Sequence, residues 1–354
     1  MFVSTTDWQR WSQTALITCG LIGCCFFVEL TAEDGSEPTV IARCQVVPLA
    51  DHQVAFTIDG VEKVRWHFGN QYPRPFFFPF HGPSGEMLTR MGHPGAPDHD
   101  HHQSIWFANN KINGLDFWGN TSHTQIRQKQ WLCYQDGPSE ATMAALIGWY
   151  DPSGTEIMEQ ELIASLLPIP PAKEGGVEEH ALELQFTLRP ATGLDVVEVE
   201  QTNFGFLAVR VAKSISASFG GGHLSNSEGA FGEKECFGKP AKWMDYSGPI
   251  AVGQGRERTS VVEGITFFDH PQNQRYPTHW HVRQDGWMGA AFGLQEGFQV
   301  TRELPLTLRY LLYAHAGEYD AATAEQVFQQ FAQRSAWSVS KGTKPNYQFE
   351  AKRQ

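Results

Sequence analysis

The sequence predicts an all-β protein: a large β-sandwich with one C-terminal helix. Three observations carry this prediction. Apolar runs of strand length recur along the chain, separated by Gly, Pro, Asn and Asp turns. With 34 Gly, 20 Pro, 24 Phe and 11 Trp among 354 residues, the composition suits turn-rich sheets with an aromatic core. A helical period appears at one good place, Ala321 to Ser335.

The elements follow in order. Gln53–Ile58 and Val61–Phe68 flank Asp59-Gly60, a pair that accepts the positive φ angles of a two-residue hairpin turn. Pro73 to Pro83 carries alternating prolines, which forbid a helix and a central strand, so an extended segment across a sheet end is expected. Ala141 to Tyr150 and Glu156 to Leu166 read as strands joined by Asp151-Pro152-Ser153-Gly154. In Ala181 to Leu188, Leu182, Leu184, Phe186 and Leu188 share one face, and Val196 to Val211 has further strand character. Ser218 to Trp243 reads as a long glycine-rich loop without the Gly-Lys-Ser/Thr ending of a phosphate loop. Thr259 to Asp269, Met288 to Leu294 and Leu306 to Tyr313 are further strands, the last apolar on both faces. In the helix, Thr323-x-x-Gln326 offers a capping box and Val327, Phe328 and Phe331 an apolar stripe. The tail from Lys341 is polar and expected to be loose.

Composition also excludes functions. The net charge of -12 and the lack of a basic run disfavour nucleic acid as a partner. Residues 1–32 read as a leader: Arg10 precedes an apolar run, Ala15 to Val28, that is short for a membrane span but suits a signal peptide. Leu21-Ile22-Gly23-Cys24 resembles a lipobox, with Cys24 as the lipid-bearing residue; a buried N-terminal strand is the alternative. The expectation is export to the periplasm or beyond, with membrane anchoring only through the leader and residues 33–354 as one sandwich domain. Beyond the leader, Cys44, Cys133 and Cys236 form neither a zinc pattern nor a disulfide framework, so buried thiols are expected.

Chemistry concentrates in residues 97–118. Asp98, His99, Asp100, His101 and His102 are consecutive, and an aromatic and amide segment from Trp106 to Trp118 follows. On an extended segment His99 and His101 project to one side, a spacing that suits a divalent metal or a general acid and base. His279-Trp280-His281 repeats that spacing; if the two pairs meet, they form a histidine-rich pocket. Trp106, Trp118, Trp280 and Trp287 suit a core, but three of them sit near Asn113, Asp116, Asn273 and Arg275, groups that bind hydroxyls. Aromatic faces beside such groups are what a sugar ring requires. There is no Gly-x-Ser-x-Gly elbow, dinucleotide fingerprint or His-Glu-x-x-His motif.

Asp98-His99-x-His101-His102 with Trp106-Phe107 and Asn113-Gly114-x-Asp116-Phe117-Trp118 resembles a bacterial family labelled "methane oxygenase PmoA". Leu207-x-Val209-Arg210, Trp243-x-Asp245-Tyr246-Ser247-Gly248 and Phe268-Asp269-His270-Pro271-x-Asn273 with Arg275 extend the resemblance from about Pro73 to the C-terminal helix. A methane monooxygenase subunit of that name spans the membrane several times, whereas this chain has one short leader and a β-rich body. The resemblance therefore implies a soluble or exported protein associated with sugar catabolism, not methane oxidation. Gln103 departs from the family pattern, where Arg is common, and Asp100 stands where Pro is common. The first departure points to a different ligand preference.

The expectation is a carbohydrate-active enzyme on a sandwich similar to the galactose-mutarotase supersandwich, acting by hydrolysis, elimination or epimerisation. His99 and His102 are the expected acid and base, with Asp98 orienting an imidazole. Asn113, Asp116, Trp118, Arg210, Asn273, Arg275 and Trp280 are the expected carbohydrate-binding residues. One alternative is a metal-dependent enzyme with ligands drawn from His99, His101, His279 and His281. The other is a non-catalytic sugar-binding exported protein.

Overall fold

In the computed structural model, which describes residues 41–96, 98–171 and 175–354, sixteen strands pair into two eight-stranded antiparallel sheets and four more into two two-stranded ones. The leader expected over residues 1–32, with Cys24, lies outside the described residues. The strands begin with β1 (Cys44–Leu49), β2 (Gln53–Ile58), β3 (Val61–His67), β4 (Phe76–Phe80) and β5 (Ile105–Asn109). Then come β6 (Gln125–Gln135), β7 (Ala141–Tyr150), β8 (Glu156–Ile169), β9 (Glu179–Pro190), β10 (Val196–Val199) and β11 (Gly205–Arg210). Helix α1 (Ala217–Gly220), β12 (His223–Asn226), α2 (Gly232–Cys236), β13 (Trp243–Val252) and β14 (Thr259–Asp269) follow. The chain continues with β15 (Trp280–Arg283), β16 (Trp287–Ala290), β17 (Phe298–Thr301), β18 (Leu306–Ala316), α3 (Ala321–Gln333), β19 (Trp337–Lys341) and β20 (Phe349–Arg353).

Sheet 1 has the order β1-β2-β3-β4-β5-β11-β16-β15, and sheet 2 the order β12-β13-β14-β18-β9-β8-β7-β6. Alternating residues send one face of each sheet into a shared core. Phe107 of β5 stacks on Phe186 of β9 with ring centroids 3.8 Å apart. Truncating such a residue to Ala costs about 3–5 kcal/mol. The β2–β3 hairpin turns at Asp59 and Gly60, with φ of 51° and 76°. Both angles are positive, as a two-residue turn between twisted strands requires.

The two outer faces are covered differently. Over sheet 2, α3 lays Ala324, Val327, Phe328 and Phe331 on Trp243, Phe268, Leu311 and Tyr313. Leu306, Leu308, Tyr310 and Leu312 of β18 face the inner core, so this strand is buried on both sides. Among the described residues sheet 1 has no such helix; irregular segments lie over its β5–β11–β16–β15 end, and the candidate site lies there. Among the described residues no helix is long and apolar enough to cross a membrane.

Four expectations are corrected. The proline-rich segment supplies β4, an interior strand, rather than crossing a sheet end. It pairs with β5 only through Phe76 and Phe77, and its pairing with β3 shifts register, so Pro79 sits where no ladder N–H is needed. The glycine-rich stretch contains α1, β12 and α2. The helix N-cap is Asp320, whose Oδ1 accepts from Thr323 N at 2.7 Å, not Thr323. The tail is anchored: β20 pairs with β19, and Arg353 lies 3.9 Å from the Trp337 ring centroid. Cys44, Cys133 and Cys236 are buried and free.

Candidate active-site cleft

Strand register builds the floor. Pairing aligns Trp106 with Ala208, Ala208 with Gly289, and Gly289 with His281, so the four form one row across the outer face of sheet 1. The adjacent row runs Arg210–Trp287–Arg283. The smallest residues stand mid-row between large ones, which leaves a hollow. A Cβ at Gly289 would sit 3.1 Å from Trp287 Nε1, so the glycine makes room for the indole above it. The cleft has a volume of about 460 Å³. Trp106, Trp118 and Trp287 form a triangle beneath it, with centroid separations of 5.2, 5.2 and 5.3 Å.

Two irregular segments, residues 98–104 and 110–120, make the walls, and Arg74 joins them. Its side chain is 1% exposed. It donates to His101 O at 3.3 Å and Gln103 Oε1 at 3.2 Å on one wall. On the other it donates to Phe117 O at 3.2 Å and Gly119 O at 2.7 Å. Asp116 Oδ1 accepts from Trp118 N at 2.7 Å and Gly119 N at 3.0 Å, which shapes the second wall. Residues 98–102 are turns rather than an extended segment, with His102 N donating to His99 O at 3.1 Å. The turn gathers the imidazoles: His99–His101, His99–His102 and His101–His102 centroids lie 5.3, 5.0 and 4.4 Å apart.

Hydrogen bonds assign the tautomers. His99 Nδ1 lies 2.8 Å from Asp98 Oδ1, so it donates to the carboxylate and Nε2 keeps its lone pair. His281 Nδ1 donates to Asn203 O at 3.0 Å, which likewise leaves Nε2 as the basic nitrogen. His93 Nδ1 accepts from Gly95 N at 3.0 Å, so its Nε2 donates to Asp285 Oδ2 at 2.7 Å. Asp285 Oδ1 also accepts from Arg210 Nη1 at 2.8 Å.

Burial and charge set the protonation states. Burial, with neighbouring His99 and Arg74, pushes His101 down to about 4. Burial also pushes His281 down to about 4. His102, 6% exposed and stacked on Trp106, is driven far below the ordinary histidine range by burial and Arg210. Burial alone would raise Asp285, but Arg210 and His93 hold its carboxyl below the usual range. Arg90 is pushed down to about 10 by burial and Arg210, and donates to Asp285 O at 2.9 Å.

A family model described as a family of unknown function (DUF6807) matches residues 53–329, which include every residue of this cleft. The chain belongs to the DUF6807 family. No curated protein matches it.

Within this DUF6807 chain the structure separates the sequence-predicted site residues. His99, His101, His102, Asp116, Trp118, Arg210 and His281 line one cleft, with Asp98 held at its edge by His99. The remaining ones lie elsewhere. Trp280 alternates with His281, points into the core against Phe267, and donates its Nε1 to Ala241 O at 2.9 Å. His279 pairs with Pro240 just before β15 and does not line the cleft. Asn113 occupies a turn at φ 50° and caps Glu198 N at 2.8 Å. Asn273 is buried between Asp269 Oδ1, at 2.7 Å, and the backbone of Arg309. Arg275 donates to Phe292 O and Glu296 O at 3.1 and 3.0 Å. For Trp280, Asn113, Asn273 and Arg275 the polar side chain is used by nearby backbone or by a buried partner.

Sequence reading missed Arg74, Arg90, His93, Phe204 and Asp285. His93 stands six positions before His99, so a wider search for histidines would have found it. Asp285 and Arg74 carry no local signal, because strand pairing and loop folding bring them to the cleft. Among the described residues no group of three or more His, Cys, Asp or Glu is arranged to hold a metal ion.

Proposed function

We propose that this DUF6807 chain is a carbohydrate-active enzyme that works by proton transfer from histidine. One observation carries the reading. His99 and His281 each have Nδ1 engaged, by Asp98 and by Asn203 O, and line one cleft with Trp118 and Trp287. An imidazole whose Nδ1–H is held by an acceptor is fixed in orientation and tautomer, with its lone pair at Nε2. Two such groups in one cleft supply a base and, once one is protonated, an acid. Indole faces suit the C–H face of a sugar ring. His102, stacked on Trp106 and driven further down than His281 by burial and Arg210, packs the aromatic floor rather than moving the proton. Asp98 orients His99, and Asp116 shapes the wall.

The reading extends to where the protein acts: export through the leader expected over residues 1–32 would place the cleft among extracellular carbohydrates. The test is turnover of an oligosaccharide panel by the mature chain, with His99→Ala and His281→Ala checked for folding by circular dichroism. Each variant should lose at least about 10²-fold in kcat, the usual contribution of a general acid or base. Wild-type turnover in both variants would overturn the reading. So would ligand-induced stabilisation of the wild-type protein without product from any sugar, which is the behaviour of a binding protein.

A further inference from the structure

The hydrogen-bond inventory of the cleft is lopsided. Arg210 is 1% exposed and lines the cleft, and only its Nη1 is engaged. Its Nε and Nη2 are buried with no partner, as are the indole Nε1 groups of Trp118 and Trp287 on the cleft and of Trp106 beneath it, and His102 Nδ1. The guanidinium and indole groups are donors, and a buried donor left unpaired costs free energy comparable to a lost hydrogen bond. Of the carboxylates lining the cleft, Asp285 is engaged at both oxygens, by Arg210 and His93, and Asp116 at Oδ1, by two backbone N–H groups. Charge leans the same way. Behind the cleft the guanidiniums of Arg74, Arg90 and Arg210 outnumber the carboxylates of Asp116 and Asp285; Arg283 is paired with Glu233, and Asp98 stands exposed at the edge beside His99. An acceptor-rich anion answers both deficits.

We infer, resting on the carbohydrate reading above, that the substrate is a uronate-containing saccharide whose carboxylate is held by Arg210, and that the cleft cleaves it by β-elimination. Glycoside hydrolysis ordinarily uses two carboxyl groups flanking the scissile bond. Here Asp285 is engaged at both oxygens and Asp116 at Oδ1, so the cleft lacks a pair of free carboxyl groups, and the available nitrogen lone pairs belong to imidazoles. Removing the proton on the carbon next to a carboxylate is difficult because negative charge accumulates there. A buried guanidinium on that carboxylate stabilises the charge as it develops. In the reaction one imidazole Nε2 takes the C5 proton. The C–H electrons form the C4=C5 double bond, and the C4–O bond breaks with its pair leaving on oxygen. The leaving oxygen gains a proton from the second imidazole, which enters the reaction protonated at Nε2 as the imidazolium, so one imidazole ends protonated, the other neutral, and no water or oxidant is consumed. His281, beside Gly289 on the floor, and His99, on the wall, are the two proton carriers.

The test uses galacturonate and glucuronate oligosaccharides and their carboxyl-reduced neutral counterparts. Uronate cleavage should produce the ultraviolet absorbance of a conjugated enoate, together with new reducing ends. Neutral counterparts should not be cleaved. Arg210→Gln should lower kcat/KM on the uronate at least 100-fold in protein with an unchanged circular dichroism spectrum. Should that variant fail to fold, the comparison of charged and neutral substrates on wild-type enzyme decides alone. Equal cleavage of the neutral saccharides overturns the uronate assignment and leaves the carbohydrate reading standing. Reducing ends without enoate absorbance show hydrolysis, and C5 deuterium exchange without cleavage shows epimerisation; either overturns the elimination. No turnover of either class overturns this inference, and the carbohydrate reading falls only if the wider panel also fails.

Discussion

Arg210 and Arg309 are both buried guanidiniums on central strands, 1% and 2% exposed. Their surroundings differ. Arg309 Nη2 donates to Glu183 Oε1 at 3.2 Å and to the carbonyls of Arg334 and Ser335 at 2.8 and 3.1 Å, and its Nη1 donates to Gln272. Glu183 in turn accepts from Arg334 and Arg353, so the network ties α3 and the C-terminal hairpin to sheet 2. Both guanidiniums leave Nε unpartnered, but Arg210 also leaves Nη2. A polar group saturated by its own chain holds structure. One held in place with donors to spare retains binding capacity for a ligand. The same contrast separates the outer faces of the sheets: a helix seals one, and loops leave the other hollow.

The largest expected effect tests the structural half of this contrast. Glu183→Ala removes the one carboxylate paired with Arg309 and should destabilise the fold by about 3–5 kcal/mol, because a buried charge loses its partner. A shift of the urea midpoint measures it. Arg210→Gln should shift the midpoint clearly less, and equal shifts would erase the distinction. Next comes the join between the walls. Arg74→Met releases residues 101–103 from residues 117–120. A misplacement of this kind costs about 10²-fold in kcat/KM. Faster proteolysis within residues 98–120 should accompany it, and unchanged kinetics would show that the walls hold without Arg74.

A smaller net effect is expected from pH, because buried groups oppose one another. Burial holds His101, His180, His270 and His281 at about 4, 3, 4 and 4, against 6.5 for free imidazole. Below pH 6.5 the unfolded chain therefore binds more protons, and these groups lose stability as pH falls through their folded values. Asp269 works in reverse: burial raises it to about 7 from 3.8, so it adds stability as pH falls through that interval. Glu161, Glu263 and His315, also raised, act with Asp269, while His67, His102 and His279, also lowered, act with the four imidazoles. The lowered imidazoles are the larger set, so the denaturation midpoint should fall between pH 6.5 and 4; a flat or rising midpoint would show that these imidazoles are not buried neutral. The smallest effect is at the cap. Asp320→Ala should cost about 1 kcal/mol and leave turnover unchanged. Lost activity there would link α3 to the cleft on the opposite sheet.

How much was legible in the sequence follows from range. The β2–β3 hairpin was readable because Asp59-Gly60 encodes its own turn. The double-sided burial of β18 was readable because it is written in consecutive residues. The histidine turn drew notice through local density, as did Asp116 and Trp118. Pro79 misled because the rule against proline in interior strands assumes a continuous ladder, and the ladder breaks there. Asn113, Asn273 and Arg275 misled because composition cannot distinguish a side chain free for a ligand from one used by its own backbone. His281 shared a motif with Trp280 and His279, yet the two-residue period of β15 sends His281 to the cleft and Trp280 to the core.

By itself, the sequence determined the all-β class, the main hairpins, the C-terminal helix and the place where imidazoles concentrate. These depend on periodicity and turn chemistry within a few residues. The tertiary structure alone decided that Trp106, Ala208, Gly289 and His281 share a row, that Asp285 meets both Arg210 and His93, and that Arg74 joins two walls. Those relations come from strand register and loop packing between residues up to 192 positions apart, such as His93 and Asp285. No local pattern specifies them, because register is selected by the burial of whole sheet faces rather than by any pair of neighbours.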